Sequence, residues 1–304
     1  NNKIKCLNDL INETIYEDNN EINEEKDYSK YLINILKKNN FWPALQVKKY
    51  KGIKNQILLH NTYIREDIED FKELYEQCRS VILDFSNNNN NIVVSYSNSI
   101  PLRISKESYI YNTNDKLLEA YDGTTITAYY YNEKWHIGTT SCPDINSSWF
   151  SHPTKTHGMM LDEVLNKYSN YIYNEREVRQ EFVKNLDKNT SYVFVLVHYE
   201  NKHIVNYTNI LGENYMELIH IDSKEMNSLK NINIENQPLA NISIKYPKLF
   251  NKIEEANDYI LNIDNNSYGY IVKRKGVDDT YSLAKVSSEY IKYYGDNDPC
   301  STNP

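Results

Sequence analysis

Five histidines, His136, His152, His157, His198 and His203, fall within one stretch of the chain. Imidazole titrates nearest to neutral pH, so a pair of them could take the proton of an RNA 2′-hydroxyl and protonate the leaving oxygen without a metal. That chemistry would make the chain a metal-independent, histidine-dependent tRNA endonuclease, although histidines satisfied by structural partners are far more common. Asp122 and Gly123 form a second group, whose commonest use is a tight turn. Tyr129, Tyr130, Tyr131 and Trp135 could stack on bases, but aromatics alternating on neighbouring strands are more often core and cross-strand pairs. Arg79 stands between Cys78 and an apolar run, an awkward place for a guanidinium without a partner. Cys6, Cys78, Cys142 and Cys300 lack CxxC spacing, and no Cys/His pair sits at ligand spacing, so neither a metal nor a disulfide is expected. Reduced thiols imply a cytoplasmic setting.

The elements that must position these residues alternate between helix and strand patterns. Apolar residues spaced by three and four predict helices at Lys26–Lys38, Ile64–Glu76, Gly158–Tyr168, Glu175–Leu186 and Ile253–Leu261. β-Branched and aromatic enrichment predicts strands at Ala44–Tyr50, Gln56–His60, Ser80–Phe85, Ile92–Tyr96, Thr125–Tyr131, Trp135–Thr140, Tyr192–Tyr199, His203–Tyr207, Met216–Asp222, Gly269–Lys273 and Tyr281–Val286. Short turns such as Asn132-Glu133 and Asn201-Lys202 favour antiparallel pairing, and the Asn87–Asn91 tract reads as a hairpin loop. The fold class expected is therefore α+β, with antiparallel sheets flanked by helices.

Composition narrows the classes. With 304 residues, 40% of them hydrophobic, the chain can fill a sizeable core, and no run of about 18 apolar residues suggests a membrane span. A net charge of -8 argues against tight, non-specific binding to a nucleic-acid backbone, so any RNA contact must be local. The abundance of Asn, Ile, Lys and Tyr, with 28 Tyr against 8 Gly, reflects AT-rich codons rather than chemistry.

Several segments carry a resemblance. Asp122-Gly123-Thr124, then a strand, a turn, and Trp135-His136-Ile137-Gly138-Thr139-Thr140, look like the nucleotide-binding core of ATP-dependent RNA ligases of the phage T4 type, where the first motif reads Lys-x-Asp-Gly-Ser/Thr. Upstream, Glu76-Gln77-Cys78-Arg79-Ser80 is similar to that family's Glu-Cys-Arg-Gly strand, whose arginine helps hold phosphates. Downstream, the run from Phe194 to Val205 resembles Phe-Glu-Leu-Val-x-Pro-x-Asn-Arg-Ile-Val, Tyr268–Lys273 looks like Glu-Gly-x-Val-x-Lys, and Ala284–Ile291 looks like the closing Lys-x-Lys-Ser-x-x-Tyr-Val. The matches run in family order from about residue 40 to 295.

The resemblance implies a nucleotidyltransferase fold over residues 41–295, with a helical extension at 1–40 and a tail at 296–304. It also implies a cleft lined by Arg79, Asp122, Gly123, Lys273 and Lys285, with Lys275 a further candidate. The ligase chemistry itself departs. The nucleophilic lysine is replaced by Ala120, and the two carboxylates by Val195 and Tyr268. Alanine cannot be adenylylated, and without carboxylates the metal that offsets phosphate charge has no anchor. The expectation is a pseudoenzyme without catalytic residues or cofactor that binds RNA, such as tRNA or its cleaved ends. By analogy it would give immunity against a tRNA-cleaving ribotoxin of the kind borne by killer plasmids. The alternatives are an active ligase, using ATP and Mg2+, in which an engineered alanine stands at position 120; the histidine endonuclease; and an antitoxin that binds only a ribotoxin protein.

Overall fold

The computed structural model describes residues 4–20, 26–50, 55–62, 71–87, 92–97, 101–149, 152–169, 175–226, 228, 230–234, 239, 242–276 and 279–295. The elements begin with α1 (Leu7–Asn20), α2 (Tyr28–Lys38), β1 (Leu45–Lys49), β2 (Gln56–Asn61), α3 (Lys72–Gln77), β3 (Ser80–Asp84) and β4 (Val93–Tyr96). There follow β5 (Leu102–Arg103), β6 (Lys116–Ala120), β7 (Thr124–Tyr131), β8 (Lys134–Thr139), α4 (His157–Tyr168), α5 (Glu175–Val183) and β9 (Thr190–His198). The chain closes with α6 (Thr208–Leu211), β10 (Met216–Glu225), β11 (Leu249–Phe250), α7 (Ile253–Leu261), β12 (Gly269–Lys275), β13 (Tyr281–Ser287) and α8 (Glu289–Gly295).

These form three sheets, ordered β1-β2-β3-β4, β10-β9-β7-β8 and β11-β6-β12-β13-β5. The fold is α+β, and its strand pairs are antiparallel except β5 with β13. The turn between β7 and β8 was legible because Asn132 and Glu133 both take positive φ, 48° and 63°, as a two-residue hairpin requires. β3 and β4 pair as expected, while residues 88–91 of the Asn tract lie outside the described residues.

Alternation along each strand divides the core. On β2, Ile57 and Leu59 pack with Leu7, Leu10, Leu32 and Leu36 of the first two helices, whereas Leu58 turns to the other face and meets Tyr129 of β7. The N-terminal helices thus share one core with the first sheet. On β9, Phe194 and Leu196 pack against Leu161 and Val164 of α4, while Val195 and Val197 join Tyr207 and Tyr290 on the opposite face. Each such fully buried Leu or Phe contributes on the order of 2 kcal/mol. Helix α4 starts where Thr156 Oγ1 accepts from the Met159 N–H at 3.1 Å.

The structure corrects one expectation and supplies a strand that the sequence patterns did not announce. His203–Tyr207 is not a strand, because the Ile204 and Val205 N–H groups donate to the Asp122 carboxylate instead of to a neighbouring strand, and β9 pairs with β10 across a longer connection. Lys116–Ala120, which lacks β-branched residues, is strand β6, held between β11 and β12. The helix expected over Ile64–Glu76 is seen as α3 from Lys72, residues 63–70 being outside the described residues, as are 296–304. No described helix is long and apolar enough to cross a membrane.

Candidate functional site

Residues from all three sheets line a cleft of about 540 Å3. The segments picked out by sequence converge on it: Arg79 before β3, Ala120 to Gly123 after β6, Val195 on β9, Tyr268 and Lys273 at β12, and Lys285 on β13. Register explains part of this. Ala120 of β6 lies opposite Gly269 of β12, which lies opposite Ser287 of β13, and Ile271 lies opposite Lys285. Residues separated by more than 160 positions therefore become neighbours across two adjacent strand pairs.

The cleft residues fall into two electrostatic groups. In the first, charge is already answered. Asp122 is buried, and its Oδ2 accepts the Ile204 and Val205 N–H groups at 2.6 and 2.9 Å, while its own N–H donates to the Tyr207 hydroxyl at 2.7 Å. Lys273 is buried against Asp222, with Nζ 3.2 Å from Oδ1, and Asn231 donates to the same oxygen at 2.8 Å. Gly123 is dictated by close approach: a Cβ there would lie 2.4 Å from the Leu196 carbonyl oxygen. Lys275 does not line the cleft. It sits at the exposed end of β12, 2.7 Å from Asp279.

In the second group, charge is unanswered. Lys285 is 8% exposed, and neither it nor the half-buried Arg79 has a carboxylate within 4.0 Å among the described residues. The Lys285 ammonium lies 3.3 Å from the centre of the Tyr268 ring. Burial, then repulsion from Arg103, pushes its pKa down to about 7; the attraction of Asp122 opposes this and outweighs the smaller repulsion from Arg79. Tyr268 is pushed up to about 12, first by burial and then by Asp122. Two basic groups at a cleft with no carboxylate within 4.0 Å among the described residues carry N–H donors of the kind that phosphate oxygens accept.

The cleft holds no amine at Ala120 and no carboxylate at Val195 or Tyr268, the places where the ligase resemblance would put them. The five clustered histidines do not assemble there either. His136 contacts the Tyr131 carbonyl, His152 Nδ1 accepts from the Thr154 and Lys155 N–H groups, and His157 bonds Ser148 at 2.7 Å. His198 bonds Glu163 at 2.7 Å, and His203 bonds the Asn201 carbonyl at 2.6 Å. Burial lowers the pKa of His136, His157, His198 and His203. Cross-strand packing also accounts for the aromatics: Tyr129 stacks on His136 and Tyr130 meets Trp135 edge-on. Glu163, His198 and Glu200 place three potential metal-ligand atoms together, but the Lys155 ammonium already bridges Glu163 and Glu200. No disulfide joins Cys6, Cys78 or Cys142.

Sequence reasoning missed Arg103 and His60. Arg103 reaches the cleft because β5, two residues long, pairs in parallel with β13 and sets Arg103 opposite Lys285. Nothing in so short a segment announces a strand. His60 is buried at the end of β2 and lines the cleft, with no partner for Nε2 among the described residues, and burial pushes its pKa down to about 4. Its alternation with Leu58, which faces β7, is the signal that could have found it.

No family model and no curated protein matches the chain. Among solved structures it is similar to a putative ATP-dependent DNA ligase from Aquifex aeolicus, with a TM-score of 0.48 and 11% identity over 85% of this chain and 63% of that one. It is also similar to an archaeal ATP-dependent RNA ligase, with a TM-score of 0.48 and 12% identity over 84% of this chain and 61% of that one. An RNA ligase from Naegleria gruberi solved with PPi gives a TM-score of 0.40 and 10% identity over 83% of this chain and 96% of that one. The chain thus spans about three fifths of the length of the first two. These are likenesses of fold at low identity.

Proposed function

We propose that the chain is a non-ligating relative of the RNA ligases that binds RNA, holding a phosphate of tRNA or of a cleaved tRNA end in the cleft through Lys285 and Arg79. One observation carries the reading: segments that resemble ligase motifs converge on a cleft where Lys285 and Arg79 have no carboxylate within 4.0 Å among the described residues, while Ala120, Val195 and Tyr268 stand at the nucleophile and carboxylate places. Without an amine at 120, ATP cannot be joined to the chain there, yet anion binding needs only the cations. A net charge of -8 confines that attraction to the cleft. In a reducing cytoplasm, such binding would suit immunity to a tRNA-cleaving ribotoxin by covering the target or its ends.

The test is end-labelled total tRNA mixed with the protein in EDTA and run on native and denaturing gels. A shifted, intact band is expected, competed by pyrophosphate and weakened in Arg79→Gln and Lys285→Met. Cleaved tRNA would replace this reading with a nuclease. No shift at low salt would replace it with binding to a protein such as the ribotoxin itself.

A further inference from the structure

We infer that His60 forms a second subsite of the cleft, one that takes a ribose hydroxyl of the RNA nucleotide; this rests on the proposed hold of Lys285 and Arg79 on that nucleotide's phosphate. His60 is 3% exposed and lines the cleft, and its Nε2 has no partner among the described residues. A buried polar atom left unmatched is costly, and native structures usually supply it with a partner. Packing between the first two sheets places it at the cleft. Gln56, Leu58 and His60 share one face of β2 and look across to β7, where Tyr129 packs on Leu58 and donates its hydroxyl to Gln56 Oε1 at 3.0 Å. Following β2 from Gln56 to His60, and β7 from Tyr129 back to Thr125, leads to the cleft wall, which both residues line. Gln56 Nε2 and the Thr127 hydroxyl are also buried without partners among the described residues, but neither residue lines the cleft. Of the three, His60 is the one that a ligand in the cleft meets.

Strand register joins this subsite to the phosphate contact. His60 lies opposite Ser80 on β3, the residue after Arg79, and the Asn61 N–H donates to the Arg79 carbonyl at 3.2 Å. A nucleotide likewise carries its ribose hydroxyls and its phosphate a few bonds apart. The cleft wall also includes the uncharged Thr62, Thr125, Thr140 and Ser141. Burial, and then the Lys48 ammonium, which donates to the Ser141 carbonyl at 2.7 Å, keep the imidazole neutral. A neutral ring presents at Nε2 either an N–H or a lone pair. Phosphate oxygens only accept, and each atom of a base edge either donates or accepts, so these match one form. A ribose hydroxyl does both and matches either.

The test is equilibrium binding, by fluorescence anisotropy, of a 5′-phosphorylated oligouridylate and of the same oligonucleotide in 2′-deoxy form, with inorganic pyrophosphate as the competitor that reports the phosphate contact. The wild type should bind the ribose form about tenfold more tightly. His60→Leu should bind both forms alike, with pyrophosphate still competing, and His60→Gln, which restores a donor and an acceptor, should recover part of the preference. Equal affinity of the wild type for the two forms would overturn the inference without any variant, as would a ribose preference kept in full by His60→Leu. Both of those results leave pyrophosphate binding standing. A wild type that binds neither oligonucleotide nor pyrophosphate would instead remove the phosphate contact, and this subsite with it.

Discussion

Replacing Lys285 by methionine removes the buried ammonium while keeping an unbranched chain of similar length. The lysine falls from its ordinary 10.5 to about 7, a difference of roughly 3.5 units, which at 1.36 kcal/mol per unit is at most about 5 kcal/mol against the folded state. Water entry and local relaxation relieve part of this, leaving about 2 kcal/mol. In a chain of this size that corresponds to a melting temperature raised by roughly 4 °C. The sign follows from proton linkage. A lysine whose folded pKa is depressed destabilises the protein fully below about pH 7, and the penalty fades as pH rises from 7 towards 10.5, because only the unfolded chain is then protonated. Melting curves of both proteins at pH 6 and pH 9.5 should therefore show a clear gain for Lys285→Met at the lower pH and a smaller one at the higher. A variant no more stable than wild type at pH 6 would refute the reasoning and show that the contact with the Tyr268 ring outweighs the burial.

Other substitutions probe how the cleft is built. Gly123→Ala should destabilise by about 2–4 kcal/mol in urea unfolding, since its Cβ would meet the Leu196 carbonyl at 2.4 Å and Val195 Cγ1 at 2.8 Å; a loss below about 0.5 kcal/mol would show that β9 yields freely. Asp122→Ala should lose about 2–4 kcal/mol by the same assay, because the Ile204 and Val205 N–H groups are left without an acceptor. Ala120→Lys alone should remain unlabelled by radioactive ATP with Mg2+, as Val195 and Tyr268 still offer no carboxylate; a labelled band on a denaturing gel would show that the amine was the sole loss.

Much of this was written in local residue types. β-Branched and aromatic enrichment and the Asn132-Glu133 turn were enough to place β7, β8 and β9, because strands that bury one or both faces favour those side chains. Apolar spacing placed α4, α5 and α7 to within a few residues. The motifs in Ala120–Gly123, Tyr268–Lys273 and Ala284–Ile291 could be matched one by one without knowing that they touch. Only the tertiary structure decided which charges in them are free. Lys273 and Lys285 read alike in sequence, two lysines in apolar strands, yet β10 brings Asp222 to the first and no described carboxylate reaches the second. Asp122 looked available to a ligand until the 204–205 backbone folded over it, and that same contact turned an expected strand into a loop. Arg103 and His60 entered the cleft through strand register, a relation between distant segments that no local pattern encodes. Strand and helix follow from side-chain period, which is local; the electrostatics of a cleft depend on which segments meet there, and that is a property of the packed chain.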